Sequence, residues 1–295
     1  MLKERTEGFI CARKETLGVF PSSVDINPTA RCNLACPICW GPDHQIPDGL
    51  DTQQWSQIIH FFANRGTSGI IFTGGEPLLR KDLPELMSLS NKLKMKVTLS
   101  TNALLLLKRH AEVLPLVDEI GIPLDGSDSK LNGIIRRGNP RAFDASLSAL
   151  ELLADKYPDI HVTVRTVVSR QNKDDIANIG LLLMGRSVLF DRWKIYQFAP
   201  VSIGLAHIDE HYVSKEEFGR VVSGLNFPEL NITVYPNEQR AGRYVFVGPE
   251  GNVFGVDKHG NYQVVANFLN NSEADVLQGI EKILDPDQNR LRGLE

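Results

Sequence analysis

The 295-residue chain has no excess of positive charge: 32 Lys and Arg stand against 36 Asp and Glu, a net charge of −4. That balance lacks the electrostatic footprint of a general nucleic-acid binder, while a phosphate-bearing small substrate stays compatible with it. Long apolar runs are also missing. The longest purely aliphatic stretch, around Ala103 to Leu107, falls far short of the roughly 20 residues needed to cross a bilayer. The first residues, Met1-Leu2-Lys3-Glu4-Arg5, lead into polar sequence and not into an apolar secretion core, so the expected compartment is the cytoplasm. Cysteine is scarce. Four are present, three of them between Cys32 and Cys39 and the other at Cys11, too few and too uneven for a disulfide framework. With 42% hydrophobic and 23% charged residues, disorder, collagen and coiled coil are excluded, and the length suits one large domain or two small ones.

What is there begins with Arg31-Cys32-Asn33-Leu34-Ala35-Cys36-Pro37-Ile38-Cys39-Trp40. The spacing C-x3-C-x2-C lets one compact loop turn three thiolates toward a common centre, as a soft metal requires. Taken alone it suits zinc, with His44 as the nearest extra ligand, as well as a [4Fe-4S] cluster held by three cysteines with one iron left open. Cys11 lies in an N-terminal segment, residues 1 to 22, and is assigned no role.

Strand-like runs fall at 23 to 29, 69 to 74, 96 to 101, 119 to 125, 161 to 169 and 192 to 198, and helical patterns separate most of them. Thr52 to Asn64, Leu83 to Leu93 and Phe143 to Leu153 carry apolar residues at helical spacing. This alternation predicts parallel strands with right-handed crossovers. After Pro200 it fails, and 201 to 295 reads as a C-terminal α+β extension, with a helix near Ser214 to Leu225 and strands near 231 to 235, 243 to 247 and 252 to 256. His207 and His211 do not form the pattern of a helical zinc protease and read as surface histidines, and the glycines at 248, 251, 255 and 260 read as turns.

The second strand-like run, Gly69-Ile70-Ile71-Phe72, ends in Thr73-Gly74-Gly75-Glu76-Pro77. A cysteine loop after the first strand and a Gly-Gly-Glu-Pro end to the second resemble the radical S-adenosylmethionine (SAM) superfamily. The resemblance covers residues 23 to 200 and implies a partial (β/α)6 TIM-type barrel. It implies a [4Fe-4S] cluster on Cys32, Cys36 and Cys39, whose fourth iron holds the amino and carboxylate groups of SAM. It also implies an electron donor such as flavodoxin or ferredoxin and cleavage of SAM to a 5'-deoxyadenosyl radical that removes hydrogen from substrate. Chemistry in such barrels gathers at the C-terminal strand ends.

Site residues follow from the same resemblance. Gly74 and Gly75 allow close approach of backbone to ligand, and Glu76 offers its carboxylate to the ligand's ammonium. Ile38 stands where relatives place an aromatic near adenine, a departure that Trp40 can make good. Ser100-Thr101-Asn102 resembles the Thr-Asn motif that bonds ribose or the methionine portion; as isolated residues they equally suit a helix cap. Pro123-Leu124-Asp125-Gly126 resembles a Ser-Leu-Asp-Gly motif whose carboxylate-binding serine is replaced here by Pro123. That shifts weight to a cation, Arg137 or its neighbour Arg136, with Arg137 preferred. Arg165 should face the barrel mouth if strand alternation holds.

No cysteine follows Cys39, so a single cluster is expected. Glu250 to Gly255 resembles the opening of the cysteine-rich extension of peptide-modifying relatives, with Gly255 where a cysteine would stand. The sixth strand, Arg192 to Pro200, resembles that of viperin-like, nucleotide-modifying members, which nominates Lys194, Tyr196 and Gln197 as substrate contacts. The favoured reading is hydrogen abstraction from a small molecule such as a nucleotide or natural-product precursor, with the catalytic residues themselves unassigned. A peptide-modifying radical enzyme and a zinc-stabilised binding module are the alternatives.

Overall fold

The computed structural model describes residues 20 to 292; Cys11 and most of the N-terminal segment lie outside them. The strands are β1 (Ser23–Ile26), β2 (Gly69–Phe72), β3 (Lys96–Ser100), β4 (Glu119–Pro123), β5 (His161–Val168), β6 (Arg192–Gln197), β7 (Ile232–Tyr235), β8 (Phe246–Val247), β9 (Asn252–Val256) and β10 (Tyr262–Asn267). The helices are α1 (Thr52–Ala63), α2 (Leu83–Lys92), α3 (Leu106–Val113), α4 (Ser129–Ile135), α5 (Ala142–Lys156), α6 (Ile176–Met184), α7 (Ile208–His211), α8 (Lys215–Ser223), α9 (Glu273–Ile283) and α10 (Pro286–Arg292). The strands form one sheet in the order β10-β9-β8-β1-β2-β3-β4-β5-β6-β7. Every pairing from β8 through β1 to β7 is parallel, while β9 runs antiparallel to β8 and β10 antiparallel to β9. The fold is therefore α/β with a partial, unclosed barrel.

All six strands expected from the sequence are present. Residues after 200, set apart in the sequence reading, extend the same sheet on both sides: β7 continues the parallel series beyond β6, and β8 adds to β1.

Strand alternation gives the sheet two chemically different faces. Val24, Ile26, Ile70, Phe72, Val97, Leu99, Ile120, Ile122, Trp193 and Ile195 are fully buried in one hydrophobic cluster with helix residues Trp55, Ile59, Phe62 and Leu153. The intervening residues, among them Asp25, Ser100, Arg165, Lys194 and Tyr196, line cavities in the barrel interior. At the end where the strands begin, Glu119 receives Lys96 Nζ at 3.0 Å and Lys194 Nζ at 3.1 Å. Burial would raise the Glu119 carboxyl, but Lys194, Arg165 and Lys96 hold it down at about 2. This charged network lines a cavity on the N-terminal side, while the cysteine loop lies on a second cavity at the opposite end.

The helix turns are set locally. Asp51 caps α1 by accepting from Gln54 N at 2.8 Å, while the Gln54 side chain accepts from Asp51 N at 2.9 Å. Of the two histidines read as surface groups, His211 is in fact fully buried, its ring centroid 5.9 Å from that of Phe198, because α7 lays it against the end of β6.

Gly255 lies in β9 where a Cβ would come within 2.5 Å of Tyr244 O and 2.7 Å of Ile283 Cγ2. A cysteine does not fit this backbone. Gly255→Cys should therefore cost about 1–3 kcal/mol by overpacking and lower the melting temperature by on the order of 5 °C. A thermal melt at wild-type midpoint would show that β9 and α9 yield freely.

Candidate active site

The cysteine loop leaves β1 and is held at its base. Asp48 accepts from Thr29 Oγ1 at 2.9 Å, Ala30 N at 3.1 Å and Arg31 Nε at 3.0 Å, tying the far end of the loop to its start. The end of β2 docks on that base: Gly75 N donates to Thr29 O at 2.9 Å and Glu76 N to Arg31 O at 2.8 Å. A Cβ on Gly75 would lie 2.2 Å from Arg31 O, and Gly74 adopts φ +109°, so both positions require glycine.

Cys32, Cys36 and Cys39 all open on one cavity of about 280 Å³ at the C-terminal strand ends. Hydrogen-bond donors are aimed at each sulfur: Leu34 N reaches Cys32 Sγ at 3.4 Å, Gly41 N reaches Cys39 Sγ at 3.2 Å, and Arg136 Nη1 is 4.0 Å from Cys36 Sγ. Burial pushes all three thiols up, Cys32 to about 11 and Cys39 to about 12; repulsion from neighbouring thiolates adds to the shift at Cys32 and Cys39, and Asp125 adds to it at Cys36. Three thiolates in this loop therefore require a positive centre. Among the described residues no three His, Cys, Asp or Glu side chains converge closely enough for a single metal ion. A cluster, in which each thiolate takes a different iron, suits that spread better than mononuclear zinc.

Of the other expected residues, Ile38, Trp40, Gly74, Gly75, Ser100, Asn102, Arg165, Tyr196 and Gln197 line the same cavity. Arg165 Nη1 donates to Ser100 Oγ at 2.9 Å, and its guanidinium crosses Gly121, where a Cβ would meet Arg165 Cζ at 2.2 Å. Asn102 Nδ2 donates to Asn33 Oδ1 at 2.6 Å and lies 3.8 Å from Cys32 Sγ.

Four expected residues are placed elsewhere. Glu76 is completely buried and does not line the cavity. Its carboxylate turns inward to accept from Leu78 N at 3.0 Å, Thr101 Oγ1 at 2.8 Å and Asn102 N at 2.7 Å, which fixes the turn after β3. Asp125 is also fully buried: it accepts from Val167 N at 2.7 Å and pairs with Arg136 Nε at 2.5 Å. Arg137 points outward, where Nη2 donates to Glu210 Oε2 at 2.9 Å, while its carbonyl accepts from Ala35 N at 2.7 Å. Arg136 is the neighbour that faces the cavity, because Asp125 draws its side chain inward. Lys194 sits on the inward face of β6 but too near the strand start, and it is committed to Glu119.

Residues 236 to 246 supply a wall with no motif to announce it. Arg240, Tyr244 and Phe246 line the cavity, with the Trp40 ring 5.9 Å from Tyr244 and 5.8 Å from Phe246.

Residues 26 to 183, more than half of the chain, match the family model described as "Radical SAM superfamily". The chain belongs to the radical SAM superfamily. Its cofactors are a [4Fe-4S] cluster and SAM. Among curated relatives, the Fe-coproporphyrin III synthase of Methanosarcina barkeri is 35% identical over 161 residues, 53% of this chain and 39% of that protein. An S-adenosylmethionine-dependent nucleotide dehydratase of Flammeovirga pacifica is 27% identical over 256 residues, 84% of this chain and 86% of that protein. The chain spans about half or less of the length of the synthase relatives, from 39% to 53%. Among solved structures, anSMEcpe with bound AdoMet and a peptide superposes with a TM-score of 0.69 at 15% identity, covering 89% of this chain and 82% of that one. Streptococcus suis SuiB bound to precursor peptide SuiA gives 0.66 at 18% identity, covering 92% and 67%. At such identities the superpositions establish the radical SAM fold alone.

The inward placement of Glu76 has a pH signature. Burial pushes its carboxyl up to about 7, against the pull of its three donors. Between pH 4.5 and 7 the folded protein holds a proton that the unfolded chain releases, so the Glu76 contribution to stability falls as pH rises through that window. Glu76→Gln carries no such dependence and sets an amide NH2 against Asn102 N–H. Its deficit relative to wild type, from urea midpoints, should be large at pH 5 and smaller by on the order of 3 kcal/mol at pH 8. A pH-independent difference would mean that the carboxylate is ionised throughout.

Proposed function

We propose that this radical SAM enzyme acts on a small molecule, with a nucleotide or natural-product precursor as the substrate class. When bound, the reduced cluster and SAM supply a 5'-deoxyadenosyl radical that abstracts hydrogen from the substrate. The observation that carries the reading is coverage: the match to the nucleotide dehydratase of Flammeovirga pacifica takes in 84% of this chain and 86% of that relative. It therefore extends past the superfamily core into the region that supplies β7, β8 and the Arg240 wall, whereas the synthase match covers 53% of this chain.

The chain's own residues do the binding, orienting and shielding. Cys32, Cys36 and Cys39 hold the cluster. Thr73, Gly74 and Gly75 bring the end of β2 to the cavity wall, and Glu76 supports that wall only indirectly, by fixing the facing turn. Arg136, a cation held in place by Asp125, is suited to the cofactor carboxylate, since Pro123 presents no hydroxyl or N–H there. Ile38 gives an apolar face for adenine, and Ser100 with Asn102 gives neutral hydrogen bonds for ribose. An external one-electron donor, for which flavodoxin or ferredoxin is the expected class, completes the requirement.

The peptide-modifying alternative draws on the fold likeness to SuiB and anSMEcpe. It is weakened by the lack of cysteine after Cys39 and by the packed backbone at Gly255.

Anaerobically reconstituted protein should carry about four irons and four sulfides per chain. With reductant it should release 5'-deoxyadenosine and methionine from SAM. Formation of S-adenosylhomocysteine alone would indicate ordinary methyl transfer and overturn the proposal. In calorimetric titrations with SAM, Arg137→Ala should retain wild-type affinity, while Arg136→Gln should weaken binding by up to roughly 3 kcal/mol. The opposite ranking would return the carboxylate to Arg137.

A further inference from the structure

The segment from Pro236 to Tyr244 carries the chain from β7, at one edge of the parallel strands, to β8, beyond β1, and so spans the open side of the partial barrel. Arg240 lies in it with 8% of its surface exposed and lines the main cavity. Its Nη1 donates to Gln197 O at 3.0 Å, and its Cζ stands 3.6 Å from the Trp40 ring centroid. Among the described residues no carboxylate pairs with Arg240, and its buried Nε has no hydrogen-bond partner. Arg80, Arg136 and Arg292, by contrast, are each paired with a carboxylate, Asp82, Asp125 and Asp25. A guanidinium kept from water without a counter-charge is costly unless an anion arrives with a ligand. Burial pushes Arg240 down to about 10, which leaves it a cation at neutral pH. Two more buried donors on the cavity, Trp40 Nε1 and Asn27 Nδ2, also have no hydrogen-bond partner among the described residues.

We propose that Arg240 binds the anionic head of the substrate, a phosphate or a carboxylate, over the Trp40 ring and on a wall separate from the cofactor's own arginine. This deepens the proposed function and rests on it for the identity of the neighbouring cofactor. A guanidinium stacked on an aromatic face keeps its edge for in-plane oxyanion contacts, and Arg240 lines the cavity where such an anion would arrive. The cofactor carboxylate has its guanidinium in Arg136, beside Cys36, so the two anions do not compete.

The test is equilibrium binding of inorganic pyrophosphate and of malonate to reconstituted, SAM-saturated protein, for wild type, Arg240→Lys and Arg240→Gln. Wild type should bind at least one probe; pyrophosphate alone assigns a phosphate head and malonate alone a carboxylate. Arg240→Gln should weaken that binding at least tenfold and Arg240→Lys by less, with iron content and SAM affinity within twofold of wild type. Arg240→Lys keeps the charge over Trp40 and decides the matter should the Gln variant not fold. Binding of neither probe, equal binding by the variants, or a matching loss of SAM affinity would overturn the assignment. A sample that takes up neither cluster nor SAM contradicts the proposed function, and the anion titration on that same sample still judges Arg240.

Discussion

The cysteine loop can turn three thiols into one cavity because the end of β2 lies directly against its base. That contact is backbone on backbone: Gly75 and Glu76 donate to Thr29 and Arg31, at a separation that leaves no room for a Cβ on Gly75. Once β2 is fixed there, Glu76 is carried into the interior, where it takes the amide of Asn102. Asn102 then reaches back to Asn33 and toward Cys32. The hydrogen bonds thus run in a closed circuit that starts and ends on the cysteine loop. A loop braced in this way keeps its thiols apart despite their burial, so that the metal centre, when it binds, meets a preformed site.

Charge placement divides the interior by depth. Near the strand starts, Glu119 is shared by Lys96 and Lys194, on a cavity that Asp25, Arg165 and Arg292 also line. Toward the strand ends the pairing thins out. Arg136 is anchored by Asp125, Arg165 is steadied by the hydroxyl of Ser100, and Arg240 has only carbonyl, amide and aromatic neighbours. Arg240 therefore brings positive charge to the cavity with no carboxylate paired to it among the described residues, which favours a ligand that brings a negative group with it.

Much of this was legible in the sequence, for identifiable reasons. Parallel strands covered by helices have a strong apolar period, so β1 to β6 stand out, and the cysteine spacing with Gly74 to Pro77 locates the site on two of them. What the sequence does not show is side-chain orientation where tertiary partners decide it. Arg136 and Arg137 are indistinguishable as letters; buried Asp125 selects one and exposed Glu210 takes the other. Glu76 reads as a ligand group until the donors of Leu78, Thr101 and Asn102 are seen to use it up. Lys194 has the right face of β6 and the wrong height. After Pro200 the crossover to β7 is built from irregular turns and the short helices α7 and α8, too weak a period to reveal that β7 continues the sheet. The wall bearing Arg240 carries no motif and becomes visible only when β7 and β8 are found at opposite edges of the parallel strands.

The central claim is that three thiols present a cluster with one iron open to SAM. Electron paramagnetic resonance of the dithionite-reduced, reconstituted protein tests it directly. The account predicts a [4Fe-4S]⁺ signal whose g-values shift when SAM is added, because the cofactor ligates the open iron. A reduced-cluster spectrum unaltered by saturating SAM would contradict it.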